Sequence, residues 1–355
     1  MEERKINETQ KDYIQNRVYS YTKDQELAKE KIINWATTRL SSIDDNFYIL
    51  EGAAGTGKTT LLRDIVKELT YLRIIATAPT HKAVHVLGEN INADTSTIHK
   101  LLGLRPNFNI ESLDKKNFEQ SGEPKMSEYD LLIIDESSMI PKELENLIIK
   151  EARHYKTRVI YVGDRNQLPA VDSNSVFLNS LYKHKSILKE IIRQEIDNPL
   201  LILLNLLRED IENDTFKFIS YIERNKINYN NNKGFEVLDR NELASRMIKE
   251  FKSESFSKDT NYLKYLSYTN NNIIQWNKFI RNTILNTNEI LDMNDLLLGY
   301  ENVMDEFNKT KIINSEEYYI NSLEKTTFGD IEGFKVKTVS LFDNKVNEIF
   351  IADHT

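Results

Sequence analysis

The 355 residues include 47 Lys and Arg against 55 Asp and Glu, a formal charge of −8, with 40% hydrophobic and 10% aromatic residues. That composition allows two well-cored domains and argues against a passive nucleic-acid-coating protein, which would be basic, but not against a motor that grips a strand in a local groove. The lack of cysteine excludes disulfides, zinc–thiolate fingers and iron–sulfur clusters.

The opening "MEERKINETQKDY" is charged and reads as neither signal nor transit peptide. The longest apolar stretch, "PLLILLNLL" (199–207), is too short for a bilayer. The expectation is an intracellular protein without a membrane partner. "YTKDQ" (21–25) has two readings: Thr22 and Gln25 have the spacing of a helix capping box, and a glutamine ahead of the first strand can bind adenine. Both stay open, since one side chain cannot do both well.

Strand-like "NFYILE" (46–51) runs into "EGAAGTGKTT" (51–60), which fits G-x-x-x-x-G-K-[ST] with Gly52, Gly57, Lys58 and Thr59. Glycines turn backbone N–H groups toward phosphates, and the following helix, with apolar spacing Leu61, Leu62, Ile65, Val66 and Leu69, adds its positive end. Gly55, Thr56 and Thr60 complete the phosphate-binding set. Lys58 is expected on the β- and γ-phosphates and the Thr59 hydroxyl on Mg²⁺.

Further strands are predicted at 72–78, 129–135 and 157–163, and helices near 23–40, 58–70, 80–88 and 141–153. This alternation marks a parallel sheet covered on both faces. "LLIIDES" (131–137) ends in two carboxylates: Asp135 for the Mg²⁺ shell and Glu136 to polarise an attacking water. In "GDRNQLPAV" (163–171), Gln167 is the candidate γ-phosphate sensor. The polar run 103–127 interrupts the alternation as an insertion. Beyond residue 196 a second α/β block is predicted, with strands at 235–238 and 262–268, and short antiparallel strands follow from 311. "NYNNNKG" (228–234) reads as a solvated loop.

Taken together, these motifs resemble the superfamily 1 helicases of the 5′-to-3′ group, nearest to the Dda-like and RecD-like enzymes with the Pif-type close behind. "APTHKA" (78–83), "STIHKLL" (96–102), "LKEIIRQ" (188–194), "YTNNNIIQWNKFIR" (268–281) and "INS" (313–315) extend the likeness over residues 20–355. The resemblance implies an α/β P-loop NTPase built as a RecA-like parallel-sheet lobe (1–195). An incomplete second RecA-like lobe (196–310) and a small, truncated SH3-like β module (311–355) would follow. It implies ATP and Mg²⁺ as cofactors, Arg193 as an arginine finger, and single-stranded DNA and its junctions with duplex as partners. Thr80, His81, Lys82, Thr97 and His99 would touch the strand from the first lobe, and Thr269 and Asn270 from the second. Replication or recombination proteins are further implied partners, in a bacterial cytoplasm, with a bacterial or phage gene.

The insertion corresponds to the duplex-splitting pin of the Dda-like enzymes, with "KNFEQ" (116–120) resembling its tip and Phe118 as wedge. Melting costs about 1.4 kcal/mol per step and one stacked aromatic returns ~1–3 kcal/mol, so one ring can hold one step open; packing of Phe118 against the lobe is the alternative. The family's Thr-x-His-Lys-x-x-Gly-like segment and Thr-Arg pair do not follow residue 281, and "ATTR" (36–39) precedes the phosphate loop. The expectation is therefore a helicase or its N-terminal portion, with an ATP-gated single-strand-binding module as the alternative.

Overall fold

The computed structural model describes residues 21–39, 41–106, 118–120, 122–167, 176, 182–192, 198–287, 289–293, 295–300, 302–305 and 310–353. Arg193 lies outside them, as does 107–117 of the insertion. The chain divides into two units, Met1–Gln194 and Glu195–Thr355.

The first unit is built on six strands: β1 (Phe47–Gly52), β2 (Ile74–Ala78), β3 (Asp94–Thr97), β6 (Leu131–Ile134), β7 (Arg158–Gly163) and β8 (His184–Leu188). Their order is β3-β2-β6-β7-β1-β8, and every neighbouring pair is parallel. Parallel strands covered on both faces read as continuous apolar runs, as in β1 (FYILEG) and β6 (LLII), which are buried throughout.

Alternate side chains serve opposite layers. Tyr48, Leu50, Ile133, Ile160 and Val162 meet α1 (Lys23–Thr37) and α2 (Lys58–Glu68) through Ala28, Ile32, Trp35, Leu61, Leu62 and Ile65. Phe47, Ile49, Leu132, Ile134, Val159 and Tyr161 face the other way, onto Leu144, Ile148 and Ala152 of α5 (Lys142–Tyr155). Two more helices start at strand ends, α3 (His81–Asn90) after β2 and α4 (Ile98–Leu101) after β3. The strands β3 and β8 were not expected, β3 (DTST) being short and wholly polar and β8 (HKSIL) short and half polar.

Within the insertion, β4 (Leu104–Pro106) pairs antiparallel with β5 (Phe118–Gln120), with Pro106 opposite Phe118. Phe118 thus opens the second strand of this pair, laddered to Pro106, and residues 116–117 of the segment read as a tip lie outside the described residues.

The second unit begins with α6 (Pro199–Asn213) and α7 (Lys217–Arg224). The segment read as a loop is a hairpin of β9 (Ile227–Asn230) and β10 (Lys233–Glu236). Its turn residues Asn231 and Asn232 both have positive φ, 49° and 61°, the type I′ geometry that asparagine tolerates. Thus 235–238 contributes to an antiparallel pair, and 262–268 forms no strand; Leu266 and Tyr268 there are 86% and 95% exposed. Between them lie α8 (Arg240–Phe251), whose Asp239 and Glu242 form a capping box, and α9 (Glu254–Lys258). Beyond them is α10 (Asn270–Leu285).

A four-stranded antiparallel sheet, β11-β14-β15-β16, follows from β11 (Leu296–Leu298), β14 (Glu317–Phe328), β15 (Ile331–Ser340) and β16 (Val346–Ala352). The small pair β12 (Val303–Met304) and β13 (Thr310–Ile312) lies between β11 and β14 in the chain. In "INS", Ser315 takes the left-handed φ of 67° that glycine would favour. On α10 the apolar side chains of Ile274 and Phe279 are exposed. In α8, Met247 is buried and Leu243, Ile248 and Phe251 are half-buried.

Leu132 has no exposed surface in β6, so Leu132→Ala is expected to destabilise the first unit by about 2–5 kcal/mol in urea titration.

Candidate nucleotide site at the carboxyl edge of the sheet

Because all six strands run the same way, their C-terminal ends share one edge of the sheet, where open α/β sheets form their crevices. The phosphate loop leaves β1 there and the acidic pair leaves β6. The Gln167 loop leaves β7, Thr80 follows β2 and Thr97 ends β3.

The loop's shape follows from its glycines. Gly55 and Gly57 have positive φ, 84° and 77°. A Cβ on Gly57 would lie 2.5 Å from Gln25 Nε2, and one on Gly52 2.6 Å from Thr56 Oγ1, so both positions need glycine. The Thr56 side chain is fully buried and donates to the Ala53 carbonyl at 2.8 Å. The Lys58 ammonium donates to the carbonyls of Gly52 (2.7 Å) and Ala53 (3.1 Å), which holds it across the loop. Thr59 and Thr60 follow in the first turn of α2, half-buried.

Gln25 is 2% exposed and forms the capping box that one of its two readings predicted. Its Oε1 accepts from Thr22 N–H (3.1 Å) in a complete capping box, and its Nε2 donates to the Thr56 carbonyl (2.9 Å). The glutamine therefore braces the outside of the phosphate loop.

β6 is separated from β1 by β7, so the acidic pair faces the loop across one strand. The Asp135 N–H donates to the Thr77 carbonyl at 2.8 Å and its Oδ1 accepts from the Glu136 N–H at 2.9 Å. Burial pushes the Asp135 carboxyl up, against the opposing effect of that N–H and the Lys58 ammonium. Glu136 is pushed up by burial and then by Asp135, with Lys58 again opposing and Asp164 adding to the rise. Glu136 also has left-handed φ and ψ of 51° and 38°, a costly conformation for a non-glycine residue and one that concentrates at functional sites. Next to it, Ser137 Oγ donates to the Ile134 carbonyl (2.6 Å) and accepts from Val162 N–H (3.0 Å), tying the ends of β6 and β7 together.

The donor set suits Mg²⁺. Two adjacent carboxylates whose charge is penalised by burial, with the Lys58 ammonium opposing, form a site that a divalent cation would relieve. Among the described residues no group of three or more acidic or histidine side chains is placed to cage a metal. Thr59 and Asp135 are the protein oxygens that would hold an ion otherwise bound by phosphates.

The loop after β7 carries Gln167, which is exposed; its Oε1 accepts from the buried Ser138 hydroxyl at 3.4 Å. Sequence reasoning missed what positions this loop. Glu51, 6% exposed at the end of β1, takes a forked ion pair from Arg165 (Nη2 to Oε2, 2.8 Å, with Nε on Oε1) and a second from Lys185 Nζ at 2.6 Å. The available signal was a lone carboxylate closing an apolar strand. Asp24, also missed, accepts backbone N–H groups from 189 and 190.

At the β2–β3 end, Ala78 is in register with Thr97, so the two threonines assigned to a strand come from adjacent strand ends. Thr80 and Thr97 are the N-caps of α3 and α4, accepting from Ala83 N–H and Lys100 N–H, each at 3.3 Å. A threonine hydroxyl that accepts a capping bond keeps its own O–H as a donor, suited to a phosphate at a helix start. His81 and His99 lie near enough to interact: burial and then His81 hold the His99 imidazole below its usual range. Lys82 is exposed beside them. Thr269 caps α10 in the second unit, with Asn272 N–H on its hydroxyl at 3.3 Å and Asn270 opening the helix.

Gly57→Ala is expected to abolish nucleotide binding while the protein remains folded, read by labelled-ADP fluorescence and circular dichroism. A histidine held neutral by the fold gives stability that is present above its ordinary value and lost as pH falls through the lowered one. Urea midpoints should therefore drop as pH falls below about 6.5, and His99→Gln should flatten that slope.

The AAA domain family pattern matches residues 35–229. The ATP-dependent DNA helicase dda of Enterobacteria phage T4 is 26% identical over 263 residues, covering 72% of this chain and 56% of its own length. The ATP-dependent RecD2 DNA helicase of Deinococcus radiodurans is 36% identical over 157 residues, covering 43% of this chain and 20% of its own. A solved structure described as two coordinating Pif1 helicases unwinding forked duplex DNA aligns over 93% of this chain and 76% of that one, at 17% identity and TM-score 0.48. The chain thus spans about half or less of these curated relatives. Among the described residues, no helix is long and apolar enough to cross a membrane. Since the matched segment takes in more than half of the chain, from the phosphate loop through the acidic pair to Gln167, the protein belongs to the AAA domain family.

Proposed function

We propose that this chain is an ATP-dependent DNA helicase, or the N-terminal portion of one, moving 5′-to-3′ on single-stranded DNA. The observation that carries the reading is the single edge on which the phosphate loop, the Asp135–Glu136 pair and Gln167 converge at the ends of β1, β6 and β7. The names of the relatives, helicases of phage and bacteria, point the same way.

In this reading the nest of N–H groups around Gly57 and the Lys58 ammonium hold the β- and γ-phosphates. Mg²⁺, on Thr59 and Asp135, would neutralise charge on the phosphate oxygens. Glu136 takes a proton from the attacking water. Its raised carboxyl makes it a stronger base once ionised, and the Lys58 ammonium opposes the rise. Gln167 orients that water from the β7 loop, braced by Ser138 and, through Arg165, by Glu51. Arg193 supplies the arginine finger by resemblance. Thr80, His81, Lys82, Thr97 and His99 hold the strand at the β2–β3 end. Asp135 N–H on the Thr77 carbonyl makes a direct backbone tie between that end and the nucleotide end. Thr269 and Asn270 contribute from the second unit. The β4–β5 hairpin serves as the pin, with Phe118 on its returning strand.

The test is the ATPase rate of the 355-residue chain with and without poly-dT. Stimulated turnover is expected, and Glu136→Gln should lower it by about 10²–10⁴-fold while leaving nucleotide affinity intact. Nucleotide binding without DNA-stimulated turnover would instead identify an ATP-gated clamp on single strands.

A further inference from the structure

Two carbonyls of the phosphate loop are held from outside it. The Thr56 carbonyl accepts from Gln25 Nε2 at 2.9 Å, and the Gly55 carbonyl accepts from the Ile192 N–H at 2.9 Å. In a planar trans peptide the C=O and the following N–H point in opposite directions. Anchoring the Thr56 carbonyl on Gln25 therefore aims the Gly57 N–H the other way, and anchoring Gly55 fixes the plane that carries the Thr56 N–H. The outside grip sets the inside nest.

The two holders are themselves joined. Residues 189–192 leave β8 as a strap without regular structure. Asp24, in the first turn of α1 and adjacent to Gln25, accepts from the strap's backbone: Oδ2 takes Lys189 N–H at 2.5 Å and Glu190 N–H at 3.2 Å, while Oδ1 takes the Thr22 hydroxyl. Burial raises this carboxyl, but the Thr22 hydroxyl and the amides of Lys189, Glu190 and Gln25 outweigh it and hold the group below the usual carboxylate range. The strap's side chain also reaches the loop: a Cβ on Gly57 would sit 3.4 Å from Ile192 Cδ1.

We propose that Asp24 is a positioning residue that latches the 189–192 strap to the phosphate loop, so that the loop's nucleotide-ready shape and the strap's position are set together. The chemistry is specific to a carboxylate. One oxygen satisfies two neighbouring backbone donors that have left the sheet, and the negative charge is favoured at the start of α1. Ile192 N–H, two residues further on, then falls on the Gly55 carbonyl. Without the latch the strap swings, the Gly55 plane is released and the nest loses its alignment. The inference rests on the proposed function only in taking the loop to hold a nucleoside diphosphate or triphosphate; it needs neither hydrolysis nor DNA.

The test is amide hydrogen exchange by mass spectrometry on the full chain, wild type against Asp24→Ala and Asp24→Asn, with and without Mg-ADP, paired with labelled-ADP affinity. In Asp24→Ala, exchange at 189–192 and at 53–57 should rise together by about tenfold, the scale of one lost charge-assisted hydrogen bond, with ADP affinity falling by a similar factor. Asp24→Asn keeps a carbonyl acceptor and should show a smaller change of the same kind. Exchange at 189–192 unchanged in Asp24→Ala, or a loosened strap with loop protection and ADP affinity as in wild type, overturns the proposal. Where Asp24→Ala does not fold, Asp24→Asn decides, and wild-type behaviour in both readouts overturns it. A wild-type chain that fails to bind ADP sinks the proposed function instead, leaving the paired exchange at 189–192 and 53–57 to judge the latch.

Discussion

Strand direction is the constraint on which the first unit depends. Six parallel strands deliver six C-terminal ends to one edge, and the helices that begin there, α2, α3, α4 and α5, bring their N-termini to the same side. Unsatisfied N–H groups and the positive end of the helix dipole collect at that edge with no further design. The strand order then sorts the functions. β1, β7 and β6 hold the phosphate loop, the Gln167 loop and the acidic pair, while β2 and β3, on the far side of β6, hold the threonine–histidine set.

Such an edge must be kept in shape against its own electrostatics. Glu51, Asp135 and Glu136 bring negative charge into a half-dry site, and the structure answers each differently. Glu51 is neutralised by a forked guanidinium and an ammonium. Asp135 and Glu136 are opposed by Lys58 but stay penalised by burial, which is the state a phosphate-bound cation would relieve. The left-handed backbone at Glu136 is held by its surroundings, since Ser137 pins the chain to both Ile134 and Val162.

Much of this was legible from residue order. The phosphate loop is local: eight consecutive positions specify the turn, the nest and the helix start. The threonines at 80, 97 and 269 read as a series only through family resemblance. Their common structural part, capping a helix with the hydroxyl oxygen, would have been visible from spacing alone. The Asn-rich stretch at 228–234 was misread because composition suggested solvent, whereas two asparagines able to take positive φ are a hairpin signal. The pairing of Pro106 with Phe118 could not be read from sequence because an antiparallel register is a property of two segments, not of one.

The sequence by itself determined the elements whose code is short-range: β1 and β6 from their apolar runs, α2 from its apolar spacing, and the turn and helix start of the phosphate loop. Only the tertiary structure decided that β3 and β8 are strands at all, that Gln25 turns its amide onto the phosphate loop, and that Glu51 meets Arg165 across 114 residues and Asp24 meets Lys189 across 165. The physical reason is the same in each case. A short polar strand gains its stability from the neighbour that fills its hydrogen bonds, and a buried carboxylate or amide takes whichever donors or acceptors packing brings to it, neither of which is written in local order.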